Sequence, residues 1–371
     1  MTILLTGTHL TPAIATIQAL RKKAPEAKLV YVGRKHTGAA ESVEKEEIER
    51  VGAEFRQMTF GKLHRHFTWR QILELVKFPA GFWQAGKLVS ELKPEAVVSF
   101  GGYVALPLVI WGKLTGAKLV VHEQTTGWGL ANRIAKRLAD VAAVSWEEMA
   151  GQGVVWTGNP IREEIVSAFL QRRDSGIESV SSLPSSSPPG QFLYITGGNQ
   201  GAKAIDGVVE KILPDLAEKF EVFHQTKSNF SFKHPRYHPC RWFSTPIHAA
   251  ILARAAVSVS RAGANTVTEL MYLGIPAILV PLPDSAGGEQ QKNARILEET
   301  GLGKIINQER LTGESLLAVI KELTGKSINY FAEAKKSARA MVEPAAADRL
   351  AEIILREGLE GTEGEERKYD K

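Results

Sequence analysis

A histidine that follows a short apolar run across a glycine turn is placed to move a proton, and His9 stands in that position. Thr2–Thr6 reads as a strand, Gly7-Thr8 as the turn and Pro12 as a first-turn residue of the next helix. The same place suits a histidine that merely caps the helix, and residue type does not separate the two. A second polar group, His122-Glu123-Gln124, ends another apolar run and is followed by Thr125-Thr126-Gly127-Trp128-Gly129. No second histidine completes H-E-x-x-H, which removes a zinc-protease reading.

Two more glycine turns follow apolar runs, Gly101-Gly102-Tyr103 and Gly197-Gly198-Asn199-Gln200-Gly201-Ala202. The second opens a helix whose N-terminal amides suit a diphosphate. None of the three turns has G-x-G-x-x-G or P-loop spacing, so the dinucleotide and P-loop readings lose support. Each alone is as often structural as ligand-binding. The chain has no Asp-x-Asp pair of the kind that holds a divalent ion in many sugar transferases. A nucleoside diphosphate would then be neutralised by helix amides and an arginine, with Arg162 and Arg261 as candidates.

The elements that must position these groups have one pattern. Apolar runs without polar alternation (Thr2–Thr6, Lys28–Gly33, Ala96–Gly101, Lys118–Glu123, Val141–Ser145) alternate with helical stretches such as Pro12–Lys23, Leu106–Thr115 and Leu130–Leu138. That predicts a parallel sheet covered on both faces. A Ser/Pro-rich segment within 174–190 interrupts the pattern, which restarts with strands at Phe192–Thr196, Glu221–Gln225, Val257–Arg261, Pro276–Pro281 and Lys304–Ile306. The expectation is α/β: two doubly wound domains facing across a cleft. Their expected bounds are 1–160 and 191–342, joined by a hinge and flexible connection at 161–190. A helix at about 343–357 should pack back on the first domain, and a charged, frayed tail follows at 358–371.

With 371 residues, 44% hydrophobic and 23% charged, the chain has the composition of a globular protein with room for two cores. A single cysteine, Cys240, and an N-terminus without a basic leader predict a cytoplasmic protein. The uncharged run Ala96–Gly112 falls short of the ~20 residues a spanning helix needs. The net charge is only +5, but residues 59–93 hold six basic side chains (Lys62, Arg65, Arg70, Lys77, Lys87, Lys93) against Glu74 and Glu91, a local +4. Phe60, Phe67, Trp69, Phe78, Phe82 and Trp83 are interleaved, with Trp111 and Lys113 assigned to the same patch, and Pro79-Ala80-Gly81 is read as breaking the stretch. Basic and aromatic together suit an anionic membrane surface; an ordinary core-covering helix is the plainer alternative. No module for nucleic-acid binding is evident.

Taken in order, the motifs carry a resemblance. Thr6-Gly7-Thr8-His9-x-x-Pro12, Gly101-Gly102-Tyr103, His122-Glu123-Gln124 and Gly129-Leu130-x-Asn132-Arg133 lead. Thr157-Gly158-Asn159-Pro160-x-Arg162, Gly197-Gly198-x-Gln200-Gly201-Ala202, Arg261-x-Gly263-Ala264-x-Thr266-x-x-Glu269 and Gln290-x-x-Asn293-Ala294 follow. The set resembles the MurG-type UDP-N-acetylglucosamine transferases of peptidoglycan synthesis, glycosyltransferase family 28.

The resemblance implies a GT-B fold and a transfer of N-acetylglucosamine from UDP-N-acetylglucosamine to lipid-linked N-acetylmuramyl-pentapeptide, lipid I to lipid II, in cell-wall biogenesis. It implies inversion of configuration and no metal or other cofactor. His9 is implied as base, with Glu123 its orienter or rival. Donor contacts would come from Arg162, Gly197, Gly198, Asn199, Gln200, Gly201, Phe243 over the uracil, Ser244, Arg261, Ala264, Thr266, Glu269 on the ribose, and Gln290. Acceptor contacts would come from Thr8, Gly102, Tyr103, Gln124 and Asn132. Arg70, Lys77, Phe78, Phe82, Trp83 and Trp111 would seat the protein peripherally on the inner face of the cell membrane.

The match also departs from the family pattern. The first turn is shorter than the usual Gly-Gly-Thr-Gly-Gly-His, and Thr8 narrows it. Thr125 replaces the usual Asn, Asn199 the usual Ser, and Ala286–Glu289 is an atypical approach to Gln290. Alternatives are a related transferase with another lipid acceptor such as diacylglycerol, a UDP-N-acetylglucosamine 2-epimerase, and a catalytically idle nucleotide-sugar-binding protein.

Overall fold

The computed structural model describes residues 1–35, 40–59, 69–174, 192–198, 200–326 and 328–369, without the side chains of 40–42, 69–77, 172–174, 286, 328 and 360–369. The chain divides into two compact units, Met1–Arg162 with Pro344–Lys371, and Glu163–Glu343.

The first unit alternates strand and helix. Its elements run β1 (Thr2–Thr6), α1 (Leu10–Lys23), β2 (Lys28–Arg34), α2 (Ala40–Arg50), β3 (Glu54–Met58), α3 (Trp69–Leu92), β4 (Ala96–Ser99), α4 (Ala105–Leu114), β5 (Lys118–Glu123), α5 (Leu130–Leu138), β6 (Val141–Val144) and β7 (Val154–Trp156). All seven strands are parallel, in the order β3-β2-β1-β4-β5-β6-β7. Because successive strand residues point to opposite faces, Ile3 and Leu5 enter one core and Leu4 the other. The first core also takes Ile14 and Ile17 of α1; the second takes Val89 of α3 and Leu108 of α4. The central strands were legible as uninterrupted apolar runs because both their faces are covered. The two edges, β3 and β7, were not expected: Glu-Phe-Arg-Gln-Met has the look of a loop, and β7 is only three residues long.

The second unit repeats the plan with α6 (Glu163–Asp174), β8 (Phe192–Thr196), α7 (Lys203–Lys219), β9 (Glu221–Gln225), β10 (Tyr237–Cys240), α8 (Thr245–Arg254), β11 (Ala255–Ser260), α9 (Ala264–Leu273), β12 (Ala277–Leu279), α10 (Glu289–Glu299), β13 (Gly303–Ile305), α11 (Gly313–Thr324) and α12 (Ala332–Ala340). Its parallel sheet is ordered β10-β9-β8-β11-β12-β13. Here too an edge was missed: β10 carries Pro239, which a central strand does not tolerate.

Three expectations are corrected. The segment set apart as a hinge begins with α6, whose first-turn Glu163 and Glu164 suit a helix N-terminus and whose Ile165 is fully buried. Pro79 does not break the aromatic stretch; α3 runs through it, since proline's φ is helical and packing against α4 offsets one lost hydrogen bond. The C-terminal helix, α13 (Ala346–Tyr369), extends through the segment read as a frayed tail. Residues 36–39, 60–68, 175–191, 199, 327 and 370–371, with Lys62, Arg65 and most of the Ser/Pro segment, lie outside the described residues.

Helix α13 closes the first unit by packing on α1, with Leu350, Ala351 and Ile354 at 0% exposure. Ile354→Ala should therefore cost about 2–4 kcal/mol. Six of the seven tryptophans lie in the first unit, so the loss should appear as a lower urea midpoint by tryptophan fluorescence. An unchanged midpoint would mean that α13 is dispensable to that core.

Candidate functional site

In the first unit the strand order reverses between β1 and β4, so the loops leaving their carboxyl ends border an uncovered crevice. His9 sits there, at the N-cap position of α1 in extended conformation, and its side chain makes no capping hydrogen bond. The capping role that its position allowed is thus not the one it adopts. The short turn before it is held from two sides. Thr8 N donates to Gly101 O at 3.1 Å, and Tyr31 Oη donates to Gly7 O at 2.9 Å. Gly101 and Gly102 have φ of +82° and +85°, and a Cβ on Gly102 would collide with the Thr8 side chain. The two turns therefore close on each other, and Tyr103 is half-buried just beyond them.

Glu123, at the end of β5, is 4% exposed and fully engaged. Its Oε1 accepts from Thr125 N (3.0 Å) and Thr125 Oγ1 (2.8 Å), and its Oε2 from Gly129 N (3.0 Å) and Asn132 Nδ2 (2.9 Å). The single Thr125 hydroxyl hydrogen is shared with Gly127 O, 2.7 Å away, so three donors are committed to the carboxylate; they fix both the 125–129 loop and the start of α5, a favourable place for negative charge. These contacts suit Glu123 to positioning the loop and α5. Gln124 Oε1, Asn132 Oδ1 and His122 Nδ1 are buried without a hydrogen-bond partner among the described residues.

The two histidines respond to this environment. Burial lowers the His9 pKa from its ordinary value, partly opposed by the charge of Glu123. Burial pushes His122 down to about 4, opposed by the Gly158 carbonyl, 3.1 Å from Nε2, and by Glu123, and reinforced by His9. Both imidazoles are therefore neutral at pH 7, the state a general base requires.

The second unit reverses its strand order between β8 and β11, and the donor-side turns leave those two strand ends. Gly198 N donates to Thr196 Oγ1 and Gly201 N to Gly198 O, both at 3.0 Å, while a Cβ at Gly197 would overlap the Gly201–Ala202 backbone. Gln200 is exposed at this turn; Asn199 lies outside the described residues. Neither α7 nor α9 is capped by the side chain of its N-cap residue, Ala202 and Gly263 respectively, which leaves first-turn amides for an anion. Ala264 opens α9; Thr266 is half-buried and Glu269 buried one turn on.

Other predicted donor residues have local tasks. Phe243 is 8% exposed, packed between Tyr194 and Phe223 with centroids 6.3 and 6.2 Å away, and Ser244 is the N-cap of α8. Gln290 Oε1 accepts from Leu282 N at 3.0 Å. Arg261, expected at a diphosphate, turns its fork elsewhere: Nη1 donates to Val280 O (3.0 Å) and Pro281 O (3.3 Å), Nη2 to Gln308 Oε1 (2.6 Å). Its place at a strand end was legible; that three acceptors there would take its donors was not. Arg162 is buried at the end of the first unit, not in the unit that carries these turns.

On α3, Trp83 is 75% and Phe82 38% exposed, while Phe78 is half-buried. Trp111 of α4 is half-buried against them, its Nε1 donating to Phe82 O at 2.9 Å. The side chains of Arg70 and Lys77 lie outside the described residues. Among the described residues no helix is long and apolar enough to cross a membrane.

The histidine shifts have a measurable consequence. His122 folds with a pKa near 4 against 6.5 ordinarily, so the unfolded chain takes up a proton that the folded protein refuses. Stability is complete above pH 6.5 and declines as pH falls toward 4, by roughly 3 kcal/mol for this group. His9 acts in the same direction. In urea melts, His122→Gln should lose about 2 kcal/mol less than the wild type between pH 7 and 4.5; equal acid losses would refute the assignment.

Comparison with known proteins places this geometry. Residues 2–144 match the glycosyltransferase family 28 N-terminal domain and residues 192–350 the family 28 C-terminal domain. The UDP-N-acetylglucosamine–N-acetylmuramyl-(pentapeptide) pyrophosphoryl-undecaprenol N-acetylglucosamine transferase of Desulforudis audaxviator is 30% identical, over 96% of this chain and 97% of its own. The crystal structure of Acinetobacter baumannii MurG has a TM-score of 0.66 at 21% identity, covering 96% of this chain and 99% of that one. The UDP-GlcNAc 2-epimerase of Neisseria meningitidis, bound to UDP-GlcNAc, has a TM-score of 0.59 at 14% identity over 97% and 100% of the two chains, which shows that the fold alone does not choose between transfer and epimerisation. Two Rossmann-like domains of GT-B type, both family 28 domains in order and a full-length relative at this identity lead to one conclusion: the chain belongs to glycosyltransferase family 28, among the MurG-type N-acetylglucosamine transferases.

Proposed function

We propose that the protein transfers N-acetylglucosamine from UDP-N-acetylglucosamine to lipid-linked N-acetylmuramyl-pentapeptide in peptidoglycan synthesis. The observation that carries this reading is the full-length likeness to a relative named for that reaction. In the mechanism, the muramyl 4-hydroxyl attacks the anomeric carbon, its proton passes to His9, and UDP departs with inversion. His9 suits the role because it is neutral at pH 7 and free of a capping bond, whereas Glu123 is engaged by Thr125 N, Gly129 N and Asn132 Nδ2. The unpartnered acceptor atoms of Gln124 and Asn132 fit a ligand rich in hydroxyl and amide donors. In the second unit the Gly197–Ala202 turn and the amides of α7 and α9 hold the diphosphate, and Glu269 receives the ribose hydroxyls.

The reaction needs no metal in this reading, the charge of the leaving group being met by helix amides and a cation. Exposed Phe82 and Trp83, with exposed Lys87 one turn on in the same helix, seat the first unit on an anionic membrane without crossing it. In this reading the enzyme works peripherally at the cytoplasmic face, where a polyprenyl-linked acceptor is reached.

Purified protein with labelled UDP-N-acetylglucosamine and a lipid I analogue should form the disaccharide lipid with and without EDTA. His9→Ala should lower kcat about 10²–10⁴-fold, as loss of a general base does. The lowered His9 pKa should keep the acid limb of the pH–rate profile below pH 6.5. Epimerised UDP-sugar in the absence of acceptor, or transfer to diacylglycerol alone, would overturn the reading. Flotation tests the surface patch separately: Phe82→Glu with Trp83→Glu should abolish binding to anionic vesicles while leaving UDP binding intact, and unchanged flotation would reject the patch.

A further inference from the structure

The second unit contains a buried charged cluster that the donor site described above does not use. Asp206, in the first turn of α7, is 4% exposed. Its Oδ1 lies 3.2 Å from His224 Nε2, and its Oδ2 accepts from Thr226 Oγ1 at 2.7 Å and Ser228 Oγ at 2.8 Å. His224 Nδ1 lies 3.1 Å from the Tyr237 hydroxyl, Ser228 N donates to Thr226 Oγ1 at 3.0 Å, and Thr226 N donates to Cys240 O at 2.9 Å. Burial pushes the Asp206 carboxyl up, but the hydrogen bonds from His224, Thr226 and Ser228 outweigh it and hold the group below its ordinary value. A buried anion is costly unless it is paired and bonded, and this one is bonded to both sides of a single residue.

That residue is Lys227. With Thr226 and Ser228 both turned inward to one carboxylate oxygen, the side chain between them is exposed. Its stem lies along the glycine turn, with Cδ 3.7 Å and Cγ 3.9 Å from where a Cβ on Gly201 would stand. Asp206 sits on the helix that this turn opens, so one carboxylate ties the loop carrying the ammonium to the helix whose amides face the diphosphate. Arg261, at the end of β11, has its fork on Val280, Pro281 and Gln308.

We propose that Lys227 binds the donor diphosphate through its ammonium, and that Asp206 is the positioning residue that lays it along the Gly197–Ala202 turn. The assignment rests on the donor reading given above. As the bond from the anomeric carbon to the diphosphate oxygen breaks, that oxygen keeps the electron pair, and a fixed ammonium stabilises the charge that develops. A lysine serves this as a point charge beside directional helix amides.

Calorimetric titration with UDP and with uridine separates the phosphate contact from the nucleoside contact. Lys227→Ala should weaken UDP binding about tenfold and leave uridine unchanged, and Lys227→Arg should recover most of the loss. Raising the salt should weaken UDP binding to the wild type more than to Lys227→Ala. Asp206→Asn should show the same UDP-selective loss, and the double variant should bind no worse than Lys227→Ala, because the two substitutions remove one interaction. If Asp206→Asn does not fold, Thr226→Val with Ser228→Ala makes the same test. A Lys227→Ala protein that binds UDP as the wild type does, or that loses UDP and uridine alike, overturns the Lys227 assignment and leaves the transferase reading standing. Additive losses overturn the role of Asp206. A wild type that binds neither ligand overturns the donor reading itself.

Discussion

The reversal of strand order in a parallel sheet is the constraint on which the rest of this protein depends. Right-handed crossovers send the chain to one face on one side of the first strand and to the opposite face on the other. The carboxyl ends of the two strands at the reversal are therefore left uncovered by helices. The protein meets this condition twice, at β1 and β4 and again at β8 and β11. His9, the Gly101-Gly102 turn, the Gly197–Ala202 turn and the start of α9 all leave one of those four strand ends. None needs an added domain or an inserted lid to be displayed, since the topology itself keeps the space open.

What fills that space in the first unit is governed by a single carboxylate. Glu123 organises Thr125, Gly129 and Asn132 through bonds from two backbone amides and one side-chain amide. The result is a bonded loop flanked by two buried amide oxygens, Gln124 Oε1 and Asn132 Oδ1, with no hydrogen-bond partner among the described residues. The shortened first turn is stabilised in the same spirit, by a backbone bond to Gly101 and by the Tyr31 hydroxyl. Thr8 takes the place that a side chain at residue 102 would occupy, so the irregularity in one turn is matched by a glycine in the other.

Much of this was legible in the sequence, and the part that was not has a common cause. Strands buried on both faces announce themselves as unbroken apolar runs, and Phe192–Thr196 and Glu221–Gln225 have the bounds expected of them. The edge strands β3 and β10 carry polar residues or proline and imitate loops, and β7 is only three residues long. The glycine turns and His9 could be found because residue type and position in the repeat are both local properties. The engagement of Arg261 by two strand-end carbonyls, and of Glu123 by Gly129 and Asn132, depends on residues brought together by folding. Asp206 gave no signal, since a lone acidic residue in a first turn is ordinary until His224, Thr226 and Ser228 are seen around it.

The chain leaves the first unit at Arg162 and re-enters it at Pro344, which makes the second unit an insertion within the first. On the ribosome this sets an order. The inserted unit is contiguous in sequence and can complete its sheet as soon as it emerges. The first unit must wait with the face of α1 that receives Leu350 and Ile354 still bare, although its strands were synthesised first. Completion of the first core therefore depends on the last helix to be synthesised.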